Sequence, residues 1–261
     1  MQIGFFDSGV GGITVLHEAL KILPNENYIY YADVLNVPYG VRPKYEVKKF
    51  TFDAAEFIIN QGVKALVIAC NTATSAAIED LRKKYSMPII GMEPAVKPAI
   101  EKNGNCHKRV LVTATSFTLK EEKLKNLIEK VDNENIVDLL PLPGLVEFAE
   151  KLEFNENTVA AYLEKQLSEY DMKRYGTIVL GCTHFLFYSD VLRKLLPQGI
   201  DIIDGNMGTV RNLKRVLEEN NRTNEGTGKI TFFNSGRRLE DDKDLAVYDK
   251  LFNRLMKIES K

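Results

Sequence analysis

The sequence predicts an α/β fold made of two related halves. Short apolar runs rich in Val, Ile and Leu alternate with longer amphipathic segments. This is the pattern of strands buried on both faces of a parallel sheet and covered by helices. A second observation is the similarity between residues 67–72 and 179–184, where an apolar run is followed by a small residue, a cysteine and polar residues. The repeat indicates that each half presents one cysteine at the carboxyl end of a strand, where open α/β sheets bind ligands.

The apolar runs define the expected elements. They predict strands at residues 2–6, 28–32, 65–69, 88–91, 109–113, 136–140, 177–181, 201–203 and 229–233. Apolar residues at helical spacing predict helices over residues 12–22, 45–60, 156–170 and 241–256. A further helix is expected after Cys70, with Asn71 or Thr72 as its N-terminal cap.

Composition excludes several classes of protein. Hydrophobic residues make up 44% of the 261 residues and charged residues 27%, with a formal net charge of -1. The balanced charge gives no reason to expect nucleic acid or an anionic membrane as a partner, and it is compatible with a small acidic ligand. The N-terminus lacks the basic start and apolar stretch of a signal peptide. The longest charge-free apolar stretch, residues 65–78, is too short and too polar to span a bilayer. We therefore expect a soluble cytoplasmic protein.

The cysteines are few and scattered. Cys70, Cys106 and Cys182 form no C-x-x-C pair, and the histidines lie far apart in sequence. This set indicates neither a disulfide framework nor a zinc site, so no metal is expected. Cys106 and His107 lie in a polar segment and are interpreted as surface residues. A redox pair formed by Cys70 and Cys182 stays an alternative, although no thioredoxin-like motif supports it.

A glycine-rich turn, DSGVGG at residues 7–12, follows the first predicted strand. It differs from the dinucleotide-binding fingerprint because Thr14 stands where the last glycine should be. Its glycines allow close approach of the backbone and leave N–H groups free at a helix start. Asp7, at the end of the strand, is expected to point into the ligand crevice. The alternative is that Asp7 or Ser8 merely caps the following helix.

A second candidate contact is the segment PYG at residues 38–40. It follows a predicted strand, and the Tyr39 hydroxyl or a loop N–H group could bind a ligand carboxylate. An ordinary turn is the alternative interpretation of this segment.

The two strand-end cysteines suit one particular chemistry. A thiol at a helix start is expected to favour the thiolate, as for Cys70, and His184 lies close enough in sequence to tune Cys182. Inverting a Cα centre without a cofactor requires one group to remove a proton and another to return one to the opposite face, which two thiols can do. Asn71 and Thr183 would stabilise the developing negative charge. Because free cysteines are often simply buried, a structural role stays open.

Taken together, these motifs resemble the glutamate racemase family of bacterial peptidoglycan biosynthesis. DSGVGG at residues 7–12, PYG at 38–40, CNTAT at 70–74 and LGCTH at 180–184 occur in the order of the family. The resemblance implies two pseudo-symmetric α/β domains with mainly parallel central sheets and the active site in the cleft between them. Residues 1–95 plus 210–261 would form the domain that carries Cys70, and residues 96–209 the domain that carries Cys182. It further implies a homodimer that acts on glutamate without a cofactor.

The resemblance also implies roles for individual residues. Cys70 would be the base for D-glutamate and Cys182 the base for L-glutamate, assisted by Asp7 and His184 respectively. Glu150 matches a further carboxylate of the family, although Glu147, one helical turn earlier, is an alternative. The implied substrate contacts are Asp7, Ser8, Tyr39, Gly40, Asn71, Thr72, Thr183 and His184.

Three departures from the family pattern concern the shape of the pocket. The segment at residues 113–118 lacks a glycine before its first threonine, Leu142 replaces a common cysteine, and no proline follows His184 at the usual position. Two alternatives therefore stay open: a racemase for aspartate or another amino acid, and a ligand-binding or regulatory homologue without turnover.

Overall fold

The computed structural model describes residues 1–104, 108–223 and 225–260, and it confirms the α/β class. Cys106 and His107 lie outside the described residues, so their predicted surface position stays a prediction. The strands are β1 (Ile3–Asp7), β2 (Tyr28–Ala32), β3 (Ala65–Ile68), β4 (Ile89–Gly91), β5 (Arg109–Ala114), β6 (Val137–Pro141), β7 (Tyr175–Leu180), β8 (Asp201–Asp204), β9 (Ile230–Asn234) and β10 (Arg237–Arg238).

Helices connect these strands. They are α1 (Ile13–Ile22), α2 (Lys44–Asn60), α3 (Asn71–Lys84), α4 (Val96–Asn103), α5 (Ser116–Lys120), α6 (Glu122–Val131), α7 (Pro143–Glu150), α8 (Glu156–Leu167), α9 (Ser189–Leu195), α10 (Asn206–Glu219) and α11 (Asp242–Glu259). Short 3-10 helices lie at Tyr39–Val41, Met172–Arg174 and Thr183–Tyr188. Within the described ranges, no helix combines the length and apolar character needed to cross a bilayer.

The strand order confirms two pseudo-symmetric halves. The first sheet runs β10-β9-β2-β1-β3-β4 and the second runs β6-β5-β7-β8. The pairs are parallel except for β9 with β10. The two halves therefore share an arrangement of four parallel strands in the spatial order second, first, third, fourth, and β9 and β10 extend the first sheet. The proposed domain boundaries stay a prediction, although the strands of the second sheet all lie between residues 109 and 204.

Strand register places the two cysteines at equivalent points. In the first sheet Phe6 pairs with Ile68, and Cys70 follows two residues later. In the second sheet Thr113 pairs with Leu180, and Cys182 again follows two residues later. Both cysteines thus lie just past the third strand of their half, at the carboxyl edge of a parallel sheet.

The hydrophobic core joins the two halves. Every residue of β1 and of β3 is buried, because these strands lie inside the sheet and are covered on both faces. One buried cluster contains Phe5 of the first sheet, Ile178 of the second sheet and Leu251 of α11. The ends of the two sheets are therefore held against each other by continuous packing, and the cysteine-bearing edges face a shared region.

Several elements differ from the sequence prediction, which did not include helices α4, α5, α6, α9 and α10. Strand β10 was not predicted, since it consists of two exposed arginines and forms only because the turn at Gly236, with φ of 87°, folds it back on β9. The cap of α3 is Cys70 itself, whose sulfur accepts a hydrogen bond from the Ala73 N–H at 3.4 Å. The expectation that Asn71 or Thr72 caps this helix is therefore wrong.

Candidate active site

Cys70 lies at the start of α3 and is buried. The Ser8 hydroxyl and the Cys70 sulfur are 3.4 Å apart, so the loop after β1 contacts the thiol that follows β3. Burial, and to a smaller extent the charge of Asp7, raises the pKa of Cys70 to about 12, although hydrogen bonds from Ser8 and Ala73 oppose this rise. The predicted preference for the thiolate at this helix start is therefore wrong, because burial outweighs the helix-start hydrogen bond.

Cys182 belongs to a chain of three ionisable side chains, in which Cys182 and His184 are buried and Glu150 is partly buried. Its sulfur lies 3.6 Å from Nδ1 of His184, and Nε2 of His184 lies 2.6 Å from Oε1 of Glu150. Burial lowers the pKa of His184, but its hydrogen bonds to Cys182 and Glu150 outweigh burial, so this pKa lies well above the usual value. The arrangement can hold a protonated imidazole against the sulfur, with a carboxylate on the far side of the ring.

The position of Glu150 distinguishes it from Glu147. Oε1 of Glu150 also accepts a hydrogen bond from the Val10 N–H at 2.9 Å, so the glycine-rich turn of one half fixes a carboxylate of the other. Glu147, one helical turn earlier on α7, instead lines a small cavity beside Gly40. The geometry favours Glu150 as the carboxylate that assists His184.

Asp7 is fully buried and links the two halves. Its Oδ1 accepts a hydrogen bond from the Gly9 N–H at 2.9 Å, and its Oδ2 accepts one from the Thr183 hydroxyl at 3.1 Å. Burial raises the pKa of Asp7 to about 6, while the charge of His184 opposes that rise. Helix α1 begins at Ile13, and its N-cap residue is Gly12, which makes no side-chain cap hydrogen bond, so the interpretation of Asp7 or Ser8 as a simple helix cap is wrong.

The glycines of the turn serve close contacts between the halves. A Cβ atom on Gly9 would lie 1.9 Å from Oε1 of Glu150. A Cβ atom on Gly11 would lie 2.3 Å from Oγ1 of Thr183 and 2.4 Å from Nδ1 of His184. Glycine is required here because the backbone of the first half packs directly on the side chains around Cys182.

Contacts across the cleft are reciprocal. Asp7, at the end of β1, binds Thr183 next to Cys182, whereas Thr115, just after β5, binds Thr72 close to Cys70 at 2.9 Å between hydroxyl oxygens. The Thr118 hydroxyl completes this cluster, 3.3 Å from that of Thr72. Sequence reasoning missed Thr115 and Thr118. The internal repeat could have found Thr115, because strand register makes it the counterpart of Ser8.

The remaining predicted contacts lie around the same cleft. The Tyr39 hydroxyl is buried and donates to Oδ2 of Asp33 at 2.6 Å, so this group is already engaged within the protein. Gly40 packs against Thr115, and the two help to line a cavity of about 40 Å³ between the loop after β2 and helix α7. Oδ1 of Asn71 is buried without a hydrogen-bond partner among the described residues. An unsatisfied buried amide group of this kind is available to a ligand.

Comparison with known proteins identifies the class to which this fold and site belong. The sequence profile of the Asp/Glu/Hydantoin racemase family matches residues 13–213. The chain therefore belongs to the Asp/Glu/Hydantoin racemase family and is an amino-acid isomerase.

Individual relatives define its branch of the family. Glutamate racemase 2 of Bacillus subtilis is 57% identical to it, with 97% of this chain and 95% of the relative covered. The glutamate racemase of Halothermothrix orenii is 56% identical, with 95% and 97% covered. The crystal structure of Francisella tularensis glutamate racemase in complex with D-glutamate superposes with a TM-score of 0.80 at 29% identity, covering 98% of this chain and 93% of that chain. Within its family the chain is a member of the glutamate racemase group.

Replacing Glu150 by glutamine is expected to lower racemase activity and to move the alkaline limb of its pH profile to lower pH. The negative charge of Glu150 helps to hold the pKa of His184 high, so its removal lets the imidazolium lose its proton earlier. The measurement is kcat/KM as a function of pH. Glu147→Gln is the matched control, because Glu147 does not contact the imidazole, and its alkaline limb should not move. An unchanged limb in Glu150→Gln would contradict this assignment.

Asp7→Asn is expected to stabilise the protein above pH 6 while lowering its activity. The folded-state pKa of Asp7 is raised from 3.8 to about 6, so the folded protein binds more protons than the unfolded chain between these values. The free energy of unfolding therefore falls as the pH rises through this window, by up to about 3 kcal/mol at 1.36 kcal/mol per pKa unit. Asparagine does not ionise, so the variant does not lose this stability as the pH rises. Urea unfolding at pH 5 and pH 8 should show a stability difference between variant and unsubstituted protein that is larger at pH 8.

Proposed function

We propose that this chain interconverts L-glutamate and D-glutamate by a two-base mechanism that uses Cys70 and Cys182 and no cofactor. The observation that carries the proposal is the pair of buried thiols at equivalent positions of two pseudo-symmetric halves, each with its own polar partner. The glutamate racemases that resemble the chain over nearly its whole length support glutamate as the substrate. The D-glutamate complex of a structural neighbour supports it further.

In the direction from L- to D-glutamate, Cys182 is the base. The imidazolium of His184, held by Glu150, places positive charge beside the Cys182 sulfur, which acts as the base in its thiolate form. This thiolate takes the Cα proton, and the electron pair of the broken C–H bond moves into the substrate carboxylate as an enediolate. Cys70, whose raised pKa keeps its proton on sulfur, then donates that proton to the opposite face of Cα. The S–H bond of Cys70 breaks, a new Cα–H bond forms, and D-glutamate is released.

In the reverse direction the two thiols exchange roles. Cys70 must then act as a thiolate, which the Ser8 hydroxyl and the Ala73 N–H stabilise by hydrogen bonds. We assign to Asp7, whose pKa is about 6, the return of the site to its starting protonation state in this direction. Each correctly placed acid or base of this kind contributes about 10²–10⁴-fold in rate.

Polar groups around the cleft suit the charged ends of glutamate. The unpartnered amide oxygen of Asn71 and the hydroxyl cluster of Thr72, Thr115 and Thr118 lie on the Cys70 side. We assign the substrate contacts to Asp7, Ser8, Tyr39, Gly40, Asn71, Thr72, Thr183 and His184.

The biological setting belongs to the same proposal. The resemblance of the motifs to glutamate racemases supports a cytoplasmic homodimer that supplies D-glutamate for peptidoglycan. Deletion of the gene in its host is expected to create a growth requirement for D-glutamate. Normal growth and wall composition without added D-glutamate would contradict this role.

The decisive experiment incubates the purified protein with each enantiomer of glutamate and of aspartate in D₂O, without added cofactor. Loss of optical rotation together with deuterium at Cα of glutamate is the expected result. The same result with aspartate alone would overturn the substrate and keep the mechanism. No exchange with any of the four would overturn the proposed function in favour of a binding or regulatory role.

A further inference from the structure

The short 3-10 helix Thr183–Tyr188, which follows Cys182, is held at both ends by elements of the other half. At its start, the Thr14 hydroxyl of α1 donates to the Thr183 carbonyl at 3.2 Å. At its end, Nε of Arg254 on α11 donates to the Phe187 carbonyl at 2.9 Å. A 3-10 helix has weaker internal hydrogen bonds than an α-helix, so contacts of this kind decide where it lies.

Arg254 makes more than one contact at this point. Its two terminal nitrogens lie 3.1 and 2.5 Å from the two carboxylate oxygens of Asp190, which is part of α9 directly after the 3-10 helix. Its guanidinium also lies 5.5 Å from the ring centre of Phe154. The side chains of Arg254 and Asp190 are only 10% and 7% exposed, so the pair is largely shielded from solvent. A two-point guanidinium–carboxylate contact fixes direction as well as distance.

Helix α11 supports the first half of the site as well. Tyr248, six residues before Arg254, packs edge-on against Tyr30 with ring centres 5.7 Å apart. The Tyr30 hydroxyl donates to the Gly9 carbonyl at 2.8 Å, within the turn that holds Glu150 and Asp7. The same helix therefore contacts the segment that follows Cys182 directly and supports the glycine-rich turn through Tyr30.

We propose that Arg254 is a positioning residue that sets the place of Cys182 and His184 relative to Cys70. It touches neither substrate nor reacting atoms and acts through the 3-10 helix. The inference rests on the proposed function, because it concerns the base that serves L-glutamate. Loss of the Arg254 contacts should shift the Cys182 end of the site while leaving the Ser8 and Ala73 contacts of Cys70 in place.

Arg254→Met is expected to lower kcat at least tenfold with a smaller change in KM. Arg254→Lys should recover part of the loss, since lysine keeps the charge without the two-point contact. The matched control is Arg237→Met, which removes another ion pair of α11, the exposed contact of Arg237 with Asp244 at 2.7 Å. This control should change kcat less than twofold.

The deuterium isotope effect distinguishes positioning from a general loss of stability. If Cys182 is displaced, its proton transfer becomes the slower step. The isotope effect on kcat/KM should then rise for L-glutamate deuterated at Cα and fall for D-glutamate deuterated at Cα. A merely structural role would reduce the amount of active enzyme and leave both isotope effects unchanged.

Two further measurements separate the outcomes. Circular dichroism establishes whether Arg254→Met is folded. If it is not folded, Arg254→Lys and Asp190→Asn provide the test. In these variants the isotope effect should rise for L-glutamate and fall for D-glutamate. Unchanged isotope effects in all folded variants would overturn the role of Arg254. Absence of Cα exchange in the unsubstituted protein would instead overturn the proposed function itself.

Discussion

Replacing Cys70 or Cys182 by serine is expected to lower kcat for racemisation by about 10²–10⁴-fold, because each substitution removes one of the two proton-transfer groups. This corresponds to roughly 3–5 kcal/mol of transition-state stabilisation, at about 1.4 kcal/mol per factor of ten. Serine is close to cysteine in volume, and its hydroxyl can keep the contacts with Ser8 or His184. The fold should therefore be unaffected, which circular dichroism and the unfolding temperature can verify.

The two cysteine variants should fail in different ways. Cys70→Ser retains the base on the Cys182 face, so in D₂O it is expected to exchange the Cα proton of L-glutamate while the enantiomer is retained. Cys182→Ser should do the same with D-glutamate. Proton NMR combined with chiral chromatography measures exchange and inversion separately. Cys106→Ser is the control, and it should racemise glutamate at the normal rate. Racemisation by the variant that lacks both Cys70 and Cys182 would contradict the two-base mechanism.

Most of the sheet architecture could be predicted from local sequence. The run at residues 65–69 is apolar throughout because β3 is buried on both faces, and a pattern of this kind is visible in one stretch of chain. The repeat around the two cysteines likewise predicted their equivalence, which strand register now bears out. Strand ends were predicted to within about two residues, since a strand end depends on neighbouring strands as well as on its own sequence.

The contacts inside the site could not be predicted from local sequence. Glu150 and Val10 are separated by 140 residues, and Asp7 and Thr183 by 176. No local pattern tells which carboxylate of α7 meets His184, because Glu147 and Glu150 lie on the same face of a helix at i and i+3. Tertiary packing determines which glutamate contacts His184, because the glycine-rich turn binds Glu150 and not Glu147.

The protonation of Cys70 shows a second limit of sequence reasoning. A cysteine at a helix start suggests a thiolate, since the helix dipole and a backbone N–H favour negative charge. The expectation of a thiolate considers only groups that are close to Cys70 in sequence. Burial by both halves of the protein, together with the nearby charge of Asp7, raises the pKa of Cys70 instead. A thiol that holds its proton suits the acid role that we propose for Cys70 in the direction from L- to D-glutamate.

Gly11→Ala is expected to lower kcat by about 10²-fold with only a moderate loss of stability. The added Cβ would lie 2.3 Å from Oγ1 of Thr183 and 2.4 Å from Nδ1 of His184. Both side chains are buried and hydrogen-bonded, so neither can move aside without breaking contacts around Cys182. A displacement of about 1 Å in a catalytic group can reduce the rate about 10²-fold, whereas overpacking costs about 1–3 kcal/mol in stability.

A matched glycine makes this prediction specific. A Cβ atom on Gly208, in the first turn of α10, meets nothing within 4 Å, so Gly208→Ala should leave kcat unchanged and stabilise the helix by about 0.5–1 kcal/mol. Gly9→Ala is expected to have an intermediate effect on kcat. Its Cβ atom would displace Glu150, and Cys182 would be affected only indirectly, because Glu150 contacts His184. Measured kcat values should therefore fall in the order Gly208→Ala, Gly9→Ala, Gly11→Ala. Full activity in Gly11→Ala would mean that the turn tolerates a side chain, and that close approach of the halves does not set the geometry of Cys182 and His184.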